Sequence, residues 1–181
     1  MPFFRMFHLS LKELKNVRSM VTIALLMALS IVLSTYTIRL GPMLEISFNY
    51  VAVSAISMLF GPVVNAITAV ISDVISSVVA PNGAFFFWFA LNPVVSGIIF
   101  SAFFYHRPVT LPKVVIAKLI DTLLVNMLMT PFWLYLMYGP GSLVLTPERV
   151  LKNLISFVPE FLIMFTVLKI VEQIKRQKEN L

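Results

Sequence analysis

The chain has 181 residues, of which 59% are hydrophobic and 12% charged, and a mean hydropathy of +0.94. A soluble domain carries roughly 25% charged residues, so this composition excludes one and defines an integral membrane protein. The net charge of +6 is therefore to be read along a membrane topology rather than as a nucleic-acid footprint, and with no cysteine the chain forms neither disulfides nor thiolate metal sites.

At ~20 residues per span, five or six helices exhaust the length. The predicted architecture is all-α: a single membrane domain, 1–181, with an interfacial N-terminal segment at 1–16, a six-helix bundle at 17–172 and a cytoplasmic tail at 173–181. Residues 1–16 hold Arg5, Lys12, Glu13 and Lys15 and predict a short amphipathic segment on the membrane surface. This charged start resembles that of a signal peptide. The apolar run behind it reaches Thr35 with no distinct cleavage pattern, which keeps it as a span.

The first span covers about 17–36. Within it Ala24 and Ala28 stand four apart, a small-xxx-small pair that lets another helix approach closely, or a chance feature of an apolar helix. Residues 35–49, TYTIRLGPMLEISFN, interrupt the hydrophobicity with Arg39 and Glu45 and read as a loop. A short second span ends at Phe60, and Gly61-Pro62 turns tightly into the third, with Pro62 suited to a first helical turn. Over 61–83, an advance of 100° per residue sets Val63, Ile67, Val70, Ile71, Val74, Ile75 and Val78 on one arc. Asn65, Ala69, Ser72, Asp73, Ser76 and Ala80 fall on the other. One arc meets lipid and the other protein. Asp73 lies near the middle of the polar arc, where an ionisable group is costly and marks a functional site, or else pairs with a neighbouring helix.

Aromatic residues 85–89, including Phe86 and Trp88, open the fourth span as an interfacial belt or as the wall of a pocket. Asn92-Pro93 predicts a kink and a free amide inside the membrane. The fifth span, about 114–137, carries Lys118, Thr122, Asn126, Met129 and Trp133 within ~80° on a helical wheel. Lys118 reads as snorkelling to the near surface or pairing with Asp121, three residues on, and Asn126 and Trp133 as pocket lining. In the sixth span, capped by Thr146-Pro147-Glu148, the residues Arg149, Asn153, Ser156 and Glu160 form a second polar stripe. Pro159 is expected to kink the helix beside Glu160.

Ten of the fourteen basic residues fall at the inner ends of the spans when both termini are cytoplasmic. Arg39, Arg149 and Lys152 fall at the outer ends and Lys118 inside, which fixes the orientation by the positive-inside rule. A pocket would then open outward, next to cations that suit an anionic solute. The chain has no G-x-x-x-x-G-K-[ST] loop and no H-E-x-x-H, and His8 and His106 are far apart. These residues predict no catalytic group, no cofactor and no metal. They point to a solute-binding protein, not an enzyme.

The chain resembles the S-components of energy-coupling factor (ECF) vitamin transporters, in particular the folate-type group. The resemblance is carried by Ala24 to Ala28, IRLGPMLEISF at 38–48, LFGPVVNAITAVISD at 59–73 and PNGAFFFWF at 81–89 ahead of Ser96-Gly97. It continues through 126–133, the YGPG loop, and PERVLKNL with Pro159-Glu160. It implies a six-helix, multi-pass protein of the cell membrane that captures a vitamin from outside. The partners implied are a transmembrane coupling protein, whose helices meet the Ala24/Ala28 surface, and two ATPase subunits that hydrolyse ATP. The loop at 35–49 would be a lid over the ligand. Folate or a related vitamin would meet Asp73, Arg39, Trp88, Phe86, Asn92, Asn126, Trp133, Arg149 and Asn153. Arg39 and Arg149 would face its glutamate tail, the aromatics its flat rings, and Asp73, or alternatively Glu160, the adjacent donors of a pterin. Three alternatives remain: an S-component for riboflavin or another vitamin, an ion-coupled carrier using Asp73 or Glu160, and a structural scaffold. The ion-coupled carrier lacks an evident inverted repeat, and a scaffold leaves the two polar stripes unexplained.

Overall fold

The computed structural model describes residues 3–41, 44–79, 86–140 and 146–179, with the side chains of 5–36, 48–79, 86–140 and 150–177. In chain order these are α1 (Phe3–Glu13), α2 (Val17–Thr35), a hairpin of β1 (Thr37–Gly41) and β2 (Leu44–Ser47), α3 (Asn49–Val79), a 3-10 turn (Phe87–Ala90) and α4 (Leu91–Phe104). Then follow α5 (Leu111–Asp121), a π-helical segment (Thr122–Met129), α6 (Thr130–Tyr138) and α7 (Thr146–Glu179).

Five helical runs are long and apolar enough to span a bilayer, and one of them, Asn49–Val79, counts twice. A straight helix of its 31 residues would measure ~46 Å against a ~30 Å hydrocarbon core. Gly61 resolves this with φ 83° and ψ −173°, a conformation that breaks the helix and that side chains disfavour. Pro62 begins the second leg. The bundle thus has the six membrane helices that the sequence predicts.

The Gly61 turn is held from outside by α1. Ser10 Oγ donates to the Phe60 carbonyl at 2.6 Å and accepts from the Val63 and Val64 amides at 3.1 Å each, acting as an N-cap supplied by a distant segment. Ser10 and Met6 are buried, so α1 is packed into the protein, beyond the surface-lying segment expected for it. The Tyr105 ring closes on the same turn: a Cβ on Gly61 would sit 3.1 Å from it. Burial, with the Glu13 carboxylate nearby, pushes the Tyr105 phenol up to about 12, so it remains neutral.

The first leg of α3 is the hub, with residues 52–58 all buried. It packs on α2 and α4, and α4 approaches the second leg closely through Gly97, where a Cβ would overlap the Asn65 carboxamide. Val53, Met58, Phe100, Phe104, Val114, Met164 and Leu168 form the main core. By contrast α2 and α7 expose apolar faces, as lipid contact requires.

Three sequence expectations are corrected. Residues 35–49 contain an antiparallel hairpin, Arg39 opposite Glu45 and Ile38 opposite Ile46, with β2 lying beside α7. Pro93 produces no kink, because it falls in the first turn of α4, where its missing N–H has no intrahelical partner to lose. The fifth span is not one regular helix. Pro131 cannot donate to residue 127, and the chain widens ahead of it: Thr130 donates to the Val125 carbonyl through both its amide and, at 2.9 Å, its hydroxyl.

Candidate ligand-binding site

A cavity of about 270 Å³ opens between the first leg of α3, the start of α4, α5 with the π segment, and α7. That is near the lower end of the ~300–1,000 Å³ usual for small-molecule sites. Asn49, Tyr50 and Val53 line one side, and Asn92, Pro93 and Ser96 the next. Lys118, Asp121, Val125 and Asn126 form the third, and Lys152, Asn153 and Glu160 the fourth. Asn153, Ser156 and Glu160 come from the predicted stripe of α7, and the first two are buried.

The floor is ionic. Lys118 is 2% exposed, and its Nζ lies 2.8 Å from Glu160 Oε2, 3.5 Å from Asp121 Oδ2 and 4.5 Å from the centre of the Tyr50 ring. It therefore does not snorkel; the ion pair with Asp121 exists and is extended by Glu160. The Ser96 hydroxyl donates to Asp121 Oδ1 at 2.5 Å. Intramembrane charges pair because an isolated one is expensive in hydrocarbon, and this pairing joins α5 to α7. The sequence reading left Lys118, Asp121 and Tyr50 out of the site. The available signal was three ionisable residues inside two apolar spans, one basic and two acidic.

The other predicted residues divide into groups. Asn92, Asn126 and Asn153 line the cavity. The Asn92 amide is not free: it donates to Thr130 Oγ1 at 3.1 Å and accepts from Trp133 Nε1 at 3.0 Å. Trp133 stacks on Trp88 with 5.9 Å between ring centres and 17° between planes, so this pair braces Asn92 behind the cavity wall. Phe86 meets Phe89 edge-on. Asp73 belongs to a separate chamber of about 50 Å³ with Ser30, Ser34, Ser72 and Ser76, which borders the larger cavity through Asn49, Val53 and Pro93. Arg39 lies on β1 and Arg149 in the first turn of α7, but their side chains lie outside the described residues. Ala24 and Ala28 are exposed on α2, beside Val21, Leu25 and Leu29.

Six membrane helices around a polar cavity, with an ionic floor that joins Lys118 to Asp121 and Glu160, define a membrane protein that binds a solute. A family model described as "ECF transporter, substrate-specific component" matches residues 18–176, and the chain belongs to that family. It is thus a multi-pass membrane subunit of a transporter, not an enzyme. Among its relatives, the "Folate transporter FolT" of Clostridium novyi (strain NT) is 31% identical over 162 residues, covering 90% of this chain and 94% of that one. The protein of the same name from Leuconostoc mesenteroides subsp. mesenteroides is 35% identical over 148 residues, covering 78% and 80%. A crystal structure of FolT bound with folic acid superposes with a TM-score of 0.78 at 29% identity, over 85% of this chain and 94% of that one.

Proposed function

We propose that this protein captures folate from outside the cell in the cavity between α3, α4, α5 and α7. It then delivers the vitamin through a module of one transmembrane coupling protein and two ATPases. The observation that carries the reading is the polarity of the cavity: acceptors crowd its floor at Glu160 and Asp121, while Lys152 lies towards the start of α7. Folate has the matching polarity, with N–H donors on its pterin and carboxylates on its glutamate. Along α7, Glu160 follows Lys152 by ~12 Å and Arg149 by ~16 Å of helix rise, a separation that a ligand with a fused-ring head, a benzoyl spacer and a glutamate bridges. Arg149, and Arg39 on the neighbouring hairpin, add cations near the glutamate end. Relatives named as folate transporters cover nearly the whole chain, which supports the same ligand.

The exposed Ala24/Ala28 face of α2 is the proposed contact with the coupling protein, since small side chains let helices approach closely. Both termini are proposed to be cytoplasmic. Ultraviolet absorbance of the detergent-purified protein, followed by titration with folate and riboflavin, tests the ligand. Folate binding at least ~100-fold tighter than riboflavin is expected, a difference of ~2.7 kcal/mol. Preferential riboflavin binding overturns the reading.

A further inference from the structure

Three ionisable side chains share the cavity floor, and they are not matched one to one: Lys118 stands between two acids, Glu160 and Asp121. The two acids are not equivalent. Asp121 is buried with both oxygens engaged, Oδ1 by Ser96 and Oδ2 by Lys118. Glu160 meets Lys118 through Oε2, and its side chain is 15% exposed against 6% for Asp121. In the same cavity the Tyr50 hydroxyl is buried and has no hydrogen-bond partner. A phenol left without a partner inside a membrane protein is costly until a ligand completes it, and a partly exposed carboxylate beside it can accept from the same ligand.

We infer that Glu160 is the specificity-determining acceptor, and that its carboxylate takes the two adjacent donors of a 2-aminopyrimidin-4-one ring, the exocyclic amine and the neighbouring ring N–H. The inference rests on the folate reading and adds which part of the ligand is recognised, and by what. Two parallel N–H groups facing a carboxylate make the same fork that gives arginine–carboxylate pairs their directionality. Lys118 and Asp121 are positioning residues. Lys118 fixes the direction of Glu160 through the 2.8 Å contact to Oε2, while Asp121, tied by Ser96, keeps the ammonium from swinging into the cavity.

The same acceptor discriminates against other vitamins. A flavin presents one ring N–H between two carbonyls, so Glu160 would meet oxygen lone pairs on either side of the single donor. The aminopyrimidine of thiamine sets its amine beside a ring nitrogen without hydrogen. Neither completes a two-donor fork, and a buried acceptor facing an acceptor is strongly penalised.

The test compares folate with the analogue in which the 2-amino group is replaced by methyl, titrated into the purified full-length protein by intrinsic tryptophan fluorescence. The wild type is expected to prefer folate by roughly 10- to 100-fold, the range of one charge-assisted hydrogen bond. Glu160→Gln should lose a similar factor for folate and show no preference between the ligands, while Asp73→Asn, on the separate chamber, should keep the preference. A folded Glu160→Gln that retains the preference, or an Asp73→Asn that abolishes it, overturns the assignment; so does a wild type that binds both ligands alike. If Glu160→Gln does not fold, the wild-type comparison and Asp73→Asn still decide. A wild type that binds no folate overturns the functional reading itself, whereas folate binding indifferent to the 2-amino group overturns this inference alone.

Discussion

Replacing Lys118 with methionine keeps most of the side-chain volume and removes the charge, so its effect isolates the electrostatics of the cavity floor. The ammonium lies 2.8 Å from Glu160 and 3.5 Å from Asp121, on a side chain 2% exposed. At an effective dielectric of ~20 these contacts amount to roughly 6 and 5 kcal/mol of gross attraction, most of which offsets the cost of desolvating three charges. Removing the shared cation leaves that desolvation uncompensated for two acids at once. Breaking a buried pair in this way costs ~3–5 kcal/mol, and that is the loss expected for Lys118→Met. Glu160→Gln should behave differently. It leaves Lys118 facing Asp121 alone, a one-to-one pair, and should cost about 1 kcal/mol. In Lys118→Met/Glu160→Gln one unpaired acid is gone, so the double variant should be more stable than Lys118→Met alone by ~1–3 kcal/mol. Unfolding in mixed micelles, followed by far-ultraviolet circular dichroism, measures all three variants against the wild type. If Lys118→Met is no less stable than Glu160→Gln, the ammonium does not hold the two acids, and the account of the floor is wrong.

Three further outcomes are expected. Ala24→Trp or Ala28→Trp should leave folate affinity unchanged and abolish copurification with the coupling protein; lost affinity would mean that this face packs inside the chain. The chain has no native cysteine, so Pro140→Cys should react with an impermeant thiol reagent in intact cells while Gln177→Cys resists it; the reverse labelling would invert the topology and close the cavity to the outside. Ser10→Ala removes the cap from the Gly61 turn and strands the Phe60 carbonyl and two amides, which should lower stability by ~1–2 kcal/mol in the same unfolding assay; an unchanged value would show that water caps the turn as well.

Helical periodicity made part of this structure legible. The two arcs drawn for the third span correspond to exposed Ile67, Ile71, Val74 and Val78 against buried Asn65, Ala69 and Ser72, because a helix between lipid and protein must sort its side chains at 100° per residue. Gly61-Pro62 was readable for a local reason, the backbone angles that glycine allows and proline requires. The hairpin was missed although its signal is present: Ile38-Arg39-Leu40 and Glu45-Ile46-Ser47 alternate about Gly41-Pro42, a period of two overlooked between helices. The π segment was signalled by Pro131, whose missing N–H disturbs the turn before it. The ionic floor was out of reach for a different reason. Lys118 and Glu160 are 42 residues apart in sequence, and only the adjacency of α5 and α7 brings them together. Periodicity gives the face of each helix but not its neighbour. Ser10 under the α3 turn is a second case, joined to Phe60 across 50 residues.

On the proposed reading, the same ionic floor would favour one way round for the ligand. Two carboxyl groups flank the single ammonium of Lys118 on the floor, whereas Lys152 lies towards the start of α7. On the proposed reading, a folate arriving pterin-first would bring donors to Glu160 and leave its carboxylates towards Lys152. Reversed, it would drive a carboxylate towards Glu160 and Asp121, and a like-charge contact at ~4 Å costs about 4 kcal/mol at an effective dielectric of ~20. That is nearly a factor of a thousand in affinity, at ~1.4 kcal/mol per decade, without any clash of shape. On that reading the second carboxyl group, which the fold tolerates at a cost in stability, would act as a polarity filter. One cation for two acids would leave an acceptor for the ligand head, while a floor matched one to one would admit either end.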